Sequence, residues 1–149
     1  MTGFRIGYAC ASAALTEAML RVHQYSMLCA SIISQEAAIE ALEHGADDMA
    51  AMREQYRLRR NFIVKSFNEI GLACHLPVGS FYAFPCVQGT GLSSREFAVQ
   101  LLEQQRVAVV PGNAFGPGGE GYVRASFCVP MTDLEKAVER IGKFVRGPR

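Results

Sequence analysis

The stretch Gly116-Pro-Gly-Gly-Glu-Gly121 places its glycines in the spacing GxGxxG, the pattern with which a strand-to-helix turn cradles a dinucleotide pyrophosphate. That chemistry requires the glycines to follow a strand and open a helix, so that the phosphate meets free N–H groups at the helix N-terminus. Here they lead into Tyr122-Val-Arg-Ala-Ser-Phe127, which reads as a strand, and Pro117 removes one of the N–H groups a phosphate would need. The glycines therefore predict a tight loop between two strands. The five cysteines, Cys10, Cys29, Cys74, Cys86 and Cys128, form no CxxC pair, and most stand in apolar stretches such as Phe127-Cys128-Val129. They are expected to be buried free thiols in a reducing compartment. His23, His44 and His75 are scattered at no ligand spacing, so no metal site is expected. Arg53, Arg57 and Arg60 cluster on one segment, but Asp47, Asp48, Glu54 and Glu69 share it, which describes a solvated helix face.

Composition sets the frame for these residues. Half of the 149 residues are apolar, and 15 Lys+Arg face 14 Asp+Glu for a net charge of +1. That apolar content excludes intrinsic disorder. The near-neutral charge gives no electrostatic reason for a nucleic-acid partner. No apolar run reaches a membrane span, and no signal peptide is evident, so the expectation is a globular cytoplasmic protein.

The elements follow from periodicity. Residues 4–9 predict a short strand. Ser12 caps a helix over about 13–28 with Leu15, Met19 and Val22 on one face, and Ser34 opens a second that Gly45 ends. A long helix over about 47–70 carries Met49, Met52, Tyr56, Ile63, Phe67 and Ile70 as its apolar stripe, and Gly71 stops it. Strands are expected at 72–76 and 80–84 around the turn Pro77-Val-Gly79. Ser93-x-x-Glu96 is a capping box for a helix to about 105. Val107–Val110 reads as a buried strand and 121–128 as another. Thr132-x-x-Glu135 forms a second capping box, whose helix aligns Leu134, Val138, Ile141 and Val145. From residue 47 the order α-β-β-α-β-β-α predicts a two-layer α+β unit, whereas residues 1–45 offer apolar-faced helices with no sheet to pack on.

Residues 1–8, 79–85 and 107–127 together resemble stretches of the class I/II aminotransferases, fold-type I enzymes dependent on pyridoxal phosphate. Met1-Thr-Gly-Phe-Arg5-Ile-Gly-Tyr8 is similar to the end of the family's cofactor-lysine motif, Ser-Lys-x-x-x-Met-Thr-Gly-x-Arg. Gly79-Ser-Phe-Tyr-Ala-Phe-Pro85 is similar to its Gly-Ala-Phe-Tyr-x-Phe-Pro segment. Val107-Ala-Val-Val-Pro-Gly-Asn-Ala-Phe-Gly116, followed by Gly121-Tyr-Val-Arg124-Ala-Ser-Phe127, resembles its Pro-Gly-x-x-Phe-Gly loop and Arg-x-Ser-Phe/Tyr strand. Taken alone, Arg5 is a surface arginine of an edge strand and Arg124 a member of a fold-stabilising ion pair. The resemblance implies instead that Arg5 binds the cofactor phosphate and Arg124 the substrate α-carboxylate. Both roles suit a planar guanidinium, which gives two parallel charge-assisted hydrogen bonds.

The same resemblance implies a fold class of α/β to α+β: residues 1–45 as a remnant of the large cofactor-binding domain, and residues 46–149 as the two-layer C-terminal small domain. It implies transfer of an amino group between an amino acid and a 2-oxo acid, and a homodimer in which His23-Gln24-Tyr25 lies at the subunit contact. Aspartate, aromatic amino acids and alanine all remain open as substrates. Neither a nucleic acid nor a membrane is an expected partner. The family's Schiff-base lysine would fall just upstream of Met1, and Lys65, Lys136 and Lys143 match no part of its motif. No catalytic residue is therefore assigned, and no internal aldimine is expected for this chain alone. The competing expectation is a non-catalytic remnant that acts as a binding or interaction module. The unmatched helices of residues 1–45 also predict poor solubility for the full chain and better behaviour for 46–149.

Overall fold

Apolar side chains recurring every three to four residues wind the N-terminal third into helices. The computed structural model describes residues 1–147. The chain divides into two units, Met1–Ala51 and Met52–Arg149. In the first, α1 spans Ala13–Ser26 and α2 spans Ile32–His44. Ser12 stands at the N-cap of α1 as expected, although its side chain makes no capping bond. Ser31 rather than Ser34 caps α2, and Gly45 ends it. Ser34 lies inside the helix, buried, and its Oγ donates to the Phe4 carbonyl at 2.8 Å.

The strand expected at 4–9 does not form. Thr2–Phe4 is a 3-10 turn, and Arg5 closes it in the left-handed region with φ 51°. A strand needs a ladder partner, and this unit contains no other strand to provide one.

A third helix, α3, spans Ala46–Glu69, and the division between the units falls within it. Gly71 ends it at φ 89°, where a residue with no Cβ adopts the left-handed conformation without strain, and the Leu72 N–H donates back to the Phe67 carbonyl at 2.9 Å. Beyond it, the second unit holds three short strands: β1 (Tyr82–Ala83), β2 (Val110–Pro111) and β3 (Val123–Ser126). They form an antiparallel sheet in the order β1-β3-β2, with Tyr82 opposite Ser126 and Val110 opposite Arg124. Two further helices, α4 (Ser94–Gln105) and α5 (Met131–Arg146), complete it.

The element order is thus α-β-α-β-β-α, one strand fewer than expected. Within residues 72–76 the Asn68 side chain, not a neighbouring strand, takes the backbone of Cys74. Its Oδ1 accepts from the Cys74 N–H at 3.0 Å, and its Nδ2 donates to the Cys74 carbonyl at 3.1 Å. The apolar run 107–110 contributes only Val110 to the ladder, so its hydrophobicity marked partial burial rather than pairing.

The capping box at the start of α4 forms as read, with the Ser93 and Glu96 side chains each bonding the other's backbone N–H. The second does not. Helix α5 begins at Met131 with Pro130 at its N-cap, which places Thr132 inside the first turn, where its side chain has no cap to make. The stripe of α5 is as expected: Leu134 and Ile141 are buried, and Val138 and Val145 pack against the core.

That core lies wholly within the second unit. Ile63, Val64 and Phe67 of α3, Phe97 and Leu101 of α4, and Leu134 and Ile141 of α5 meet Ala83, Val123, Ala125 and Phe127 from the sheet side. Phe67, Phe97 and Phe127 are each 1% exposed. Burying one such ring contributes roughly 1.5–3 kcal/mol. Because side chains alternate along a strand, turning Val123 and Ala125 inward turns Arg124 and Ser126 to the opposite face.

The cysteines depart from expectation. All five are free, but Cys10, Cys29 and Cys128 are exposed and only Cys74 is buried. Ala9, Ala11 and Leu28 beside them are apolar by type yet exposed, so local hydrophobicity did not translate into burial.

Candidate functional site

Arg124 is held by aromatic rings. Strand alternation puts it on the sheet face away from the core, half-buried. Tyr82 lies diagonally across on β1 and so shares that face. The Arg124 Cζ sits 4.2 Å from the centroid of the Tyr82 ring and 4.3 Å from that of Phe115. A guanidinium between two rings gains cation–π attraction and loses rotational freedom. No carboxylate among the described residues lies within salt-bridge range of it, and its N–H groups donate to no protein acceptor there. Both rings lie within cation–π range of the guanidinium, and its N–H groups stay without an acceptor among the described residues. The ion pair that the residue read alone suggested is not formed with any of the described residues.

Phe115 reaches Arg124 because of how its loop is folded. The residues after β2 turn through a 3-10 segment, Gly112–Phe115, and a second one, Pro117–Gly119, before entering β3. The GxGxxG segment is therefore a strand-to-strand loop, as its glycines predicted. Gly112 and Gly119 pack backbone to backbone. A Cβ on Gly112 would stand 2.7 Å from the Tyr122 carbonyl oxygen and 3.0 Å from the tip of Phe84, so glycine is required there. Phe84 stacks on Tyr122 with centroids 5.6 Å apart and meets Phe115 edge-on at 6.4 Å.

The loop is also tied to α4. Ser94, fully buried, accepts through Oγ from the Gly121 N–H at 2.8 Å and the Tyr122 N–H at 3.1 Å. The Glu120 carboxylate accepts from the Ser94 N–H at 2.8 Å and from Asn113 Nδ2 at 2.6 Å. These bonds, led by that from Ser94, hold the Glu120 carboxyl below the usual carboxylate range.

Arg5 lies in the other unit and is described by itself. Its side chain is exposed and makes no ion pair with the described residues. The lysines are all exposed helix residues with carboxylate neighbours: Lys65 beside Glu69 at 3.7 Å, Lys136 beside Asp133 at 3.6 Å and Lys143 beside Glu139 at 2.6 Å. Among the described residues no group of His, Cys, Asp and Glu is placed to hold a metal ion. Burial pushes the Cys74 thiol up, away from a reactive thiolate.

Sequence reading passed over Tyr82, Phe115, Ser94 and Glu120 as site residues. Tyr82 and Phe115 had a signal, since both stand within the motif stretches. Ser94 is hidden behind the capping Ser93, and Glu120 behind the glycines that flank it.

Comparison with known proteins places this geometry. The family described as "Aminotransferase class I and II" matches residues 1–141. In Bacillus subtilis (strain 168), the protein described as "Putative aminotransferase YugH" is 50% identical over 145 residues, covering 97% of this chain and 38% of that protein. The aspartate aminotransferase of Pyrococcus abyssi is 41% identical over 148 residues, covering 98% and 38%. Among solved structures, the aromatic aminotransferase of Pyrococcus horikoshii superposes with a TM-score of 0.87 at 40% identity, over 98% of this chain and 40% of that one. The aspartate aminotransferase of Thermus thermophilus, solved with maleate, gives 0.82 at 36% identity, over 95% and 37%.

The fold is therefore that of the fold-type I aminotransferases. The chain belongs to the class I and II aminotransferase family and spans about 38% of the length of the curated relatives it matches. No helix among the described residues is long and apolar enough to cross a membrane.

Proposed function

We propose that this chain is the C-terminal portion of a pyridoxal-phosphate-dependent aminotransferase, and that Arg124 binds the α-carboxylate of the amino acid and 2-oxo acid substrates. One observation carries the reading: a guanidinium fixed between Tyr82 and Phe115, with its N–H edges engaged by no acceptor among the described residues. Donors held in place without a protein partner suit an anionic ligand, and a carboxylate matches the fork of the guanidinium with two parallel bonds. Gripping the carboxylate fixes the orientation of the Cα–H bond, which favours proton removal in one direction. Residues 1–45 belong to the large domain and 46–149 to the small domain in this reading, and the whole enzyme is a cytoplasmic homodimer.

Pyridoxal phosphate fits the residues in hand at Arg5. That guanidinium is exposed and pairs with no carboxylate among the described residues, so it is available to a phosphate dianion. When bound, the cofactor supplies the electron sink for carbanion character at Cα. The amino acid falls in the range for which its relatives are named: aspartate, aromatic amino acids and a diaminopimelate derivative.

The test is to join the chain to the segment preceding the matched region in the Bacillus relative and assay amino-group transfer. Transfer is expected, with Arg124→Lys lowering kcat/KM about a hundredfold, the loss of one bidentate charged contact of about 2.7 kcal/mol. Full kcat/KM in the lysine variant of an active assembly would overturn the role of Arg124.

A further inference from the structure

We propose that Glu120 is a positioning residue for Arg124, acting through Asn113 and Phe115. The proposal rests on the carboxylate-binding reading of Arg124. Glu120 sits in the loop between β2 and β3, and each of its carboxylate oxygens takes a different element. Oε1 accepts from the Ser94 N–H in the first turn of α4, and Oε2 accepts from Asn113 Nδ2 in the 3-10 turn Gly112–Phe115. The carboxylate therefore straps that turn to a helix whose start is itself fixed, because Ser94 is fully buried and its Oγ holds the Gly121 and Tyr122 N–H groups.

Asn113 and Phe115 are two residues apart on the same turn, and the Phe115 ring is one of the two that sandwich Arg124. Phe115 is 52% exposed and is otherwise steadied by an edge contact with Phe84. Burial alone does not hold it. The position of its turn does, and Glu120 ties that turn to α4 beyond what the Gly112–Gly119 backbone contact fixes.

A carboxylate is suited to this task because it only accepts. Both of its contacts are donors, the Ser94 amide and the Asn113 amide, and neither is a charged group. Glutamine at 120 would keep one acceptor oxygen but turn an NH2 toward the NH2 of Asn113. Aspartate at 113 opposite Glu120 would set two carboxylates face to face. Exchanging the two functions, with Gln at 120 and Asp at 113, restores one donor and one acceptor between the same elements.

The experiment uses the full chain and phenylglyoxal, which modifies accessible arginine side chains, with each site quantified by peptide mass mapping. The readout is the rate at Arg124 relative to exposed Arg95. In the parent chain, Arg124 between its rings reacts more slowly than Arg95. Glu120→Gln and Asn113→Asp are each expected to raise the ratio about threefold, the scale of one cation–π contact of about 0.7 kcal/mol. The double variant Glu120→Gln/Asn113→Asp is expected to return it to the parent value.

Unchanged ratios in both single variants overturn the proposal, as does failure of the double variant to restore the ratio. Equal acceleration at Arg95, Arg124 and Arg140 overturns it too, because that pattern reports general loosening of the fold. Maleate separates the two readings: it should slow modification of Arg124 in the parent chain. If it protects nothing while the ratios behave as expected, the strap stands and the carboxylate role of Arg124 falls.

Discussion

Residues 1–51 and 52–149 use the same apolar vocabulary with opposite results. Ser34 is the one buried residue among the described residues of the first unit, where Tyr25 is 90% exposed, Ile33 72% and Val22 70%. The second unit closes a core of rings and branched chains around its sheet. The difference shows what a helical stripe means. Periodicity specifies a face that needs covering, and only a facing element turns it into stabilisation. The second unit has sheet and helices facing one another. The first has two helices whose stripes have nothing in that unit to close over them.

The contrast can be broken, or sharpened, at several points. Its largest expression is in the cores. Phe67→Ala is expected to cost about 3–5 kcal/mol in the urea unfolding of the second unit. Tyr25→Ala should change the same transition by less than about 0.5 kcal/mol, since almost nothing packs on it. Comparable losses from the two substitutions would mean that Tyr25 has a partner in solution.

Next comes the exposed apolar surface. The full chain is expected to enhance the fluorescence of a hydrophobic dye several-fold more than residues 46–149 do, and to sediment as larger species. Equal dye binding would show that the stripes of α1 and α2 are covered.

Helix caps draw the same line more finely. Ser93→Ala removes a two-way capping box and should cost about 1 kcal/mol. Ser12→Ala, at a cap whose side chain makes no bond, should cost a few tenths at most, measured by thermal unfolding followed by circular dichroism.

The smallest expected effect is in acid. Hydrogen bonds hold the carboxyls of Glu96 and Glu120 below their ordinary value of 4.5, so their contribution is present above that value. It is lost as pH falls through the depressed folded values. The urea midpoint of the second unit should therefore drop between neutral pH and about pH 3, and drop less in Glu120→Gln. An equal drop in the variant would remove Glu120 from the account.

Much of this was legible in the residues. The helices could be located because their stripes, the caps at Ser12 and Ser93 and the stop at Gly71 are local signals, whereas Ser34 was not the cap of α2. The strands were harder. A two-residue strand such as Tyr82–Ala83 has no periodicity of its own, and the Cys74 backbone is satisfied by an asparagine six residues earlier. The second capping box failed because Pro130 starts α5 sooner, a competition that the Ser/Thr-x-x-Glu pattern cannot express. At the site, Arg124 was legible by resemblance and its ion-pair alternative was not met. What holds Arg124 was legible only in part: Tyr82 and Phe115 stand in the motif stretches, but that the distant Tyr82 meets the loop of Phe115 and Glu120 around Arg124 depends on the pairing of β1 with β3.

The glycine loop also decides where the chain can be modified. With Gly112 and Gly119 in backbone contact and Ser94 holding two successive N–H groups, both ends of the path from β2 to β3 are pinned, and an added residue there would disturb them. The turn before β1 is the opposite case. Val78 is 96% exposed, and nothing stands within 4 Å of where a side chain on Gly79 would begin. An epitope, a fluorophore or a cross-linker belongs at Val78-Gly79, where the chain can lengthen and leave the arginine cradle unaltered.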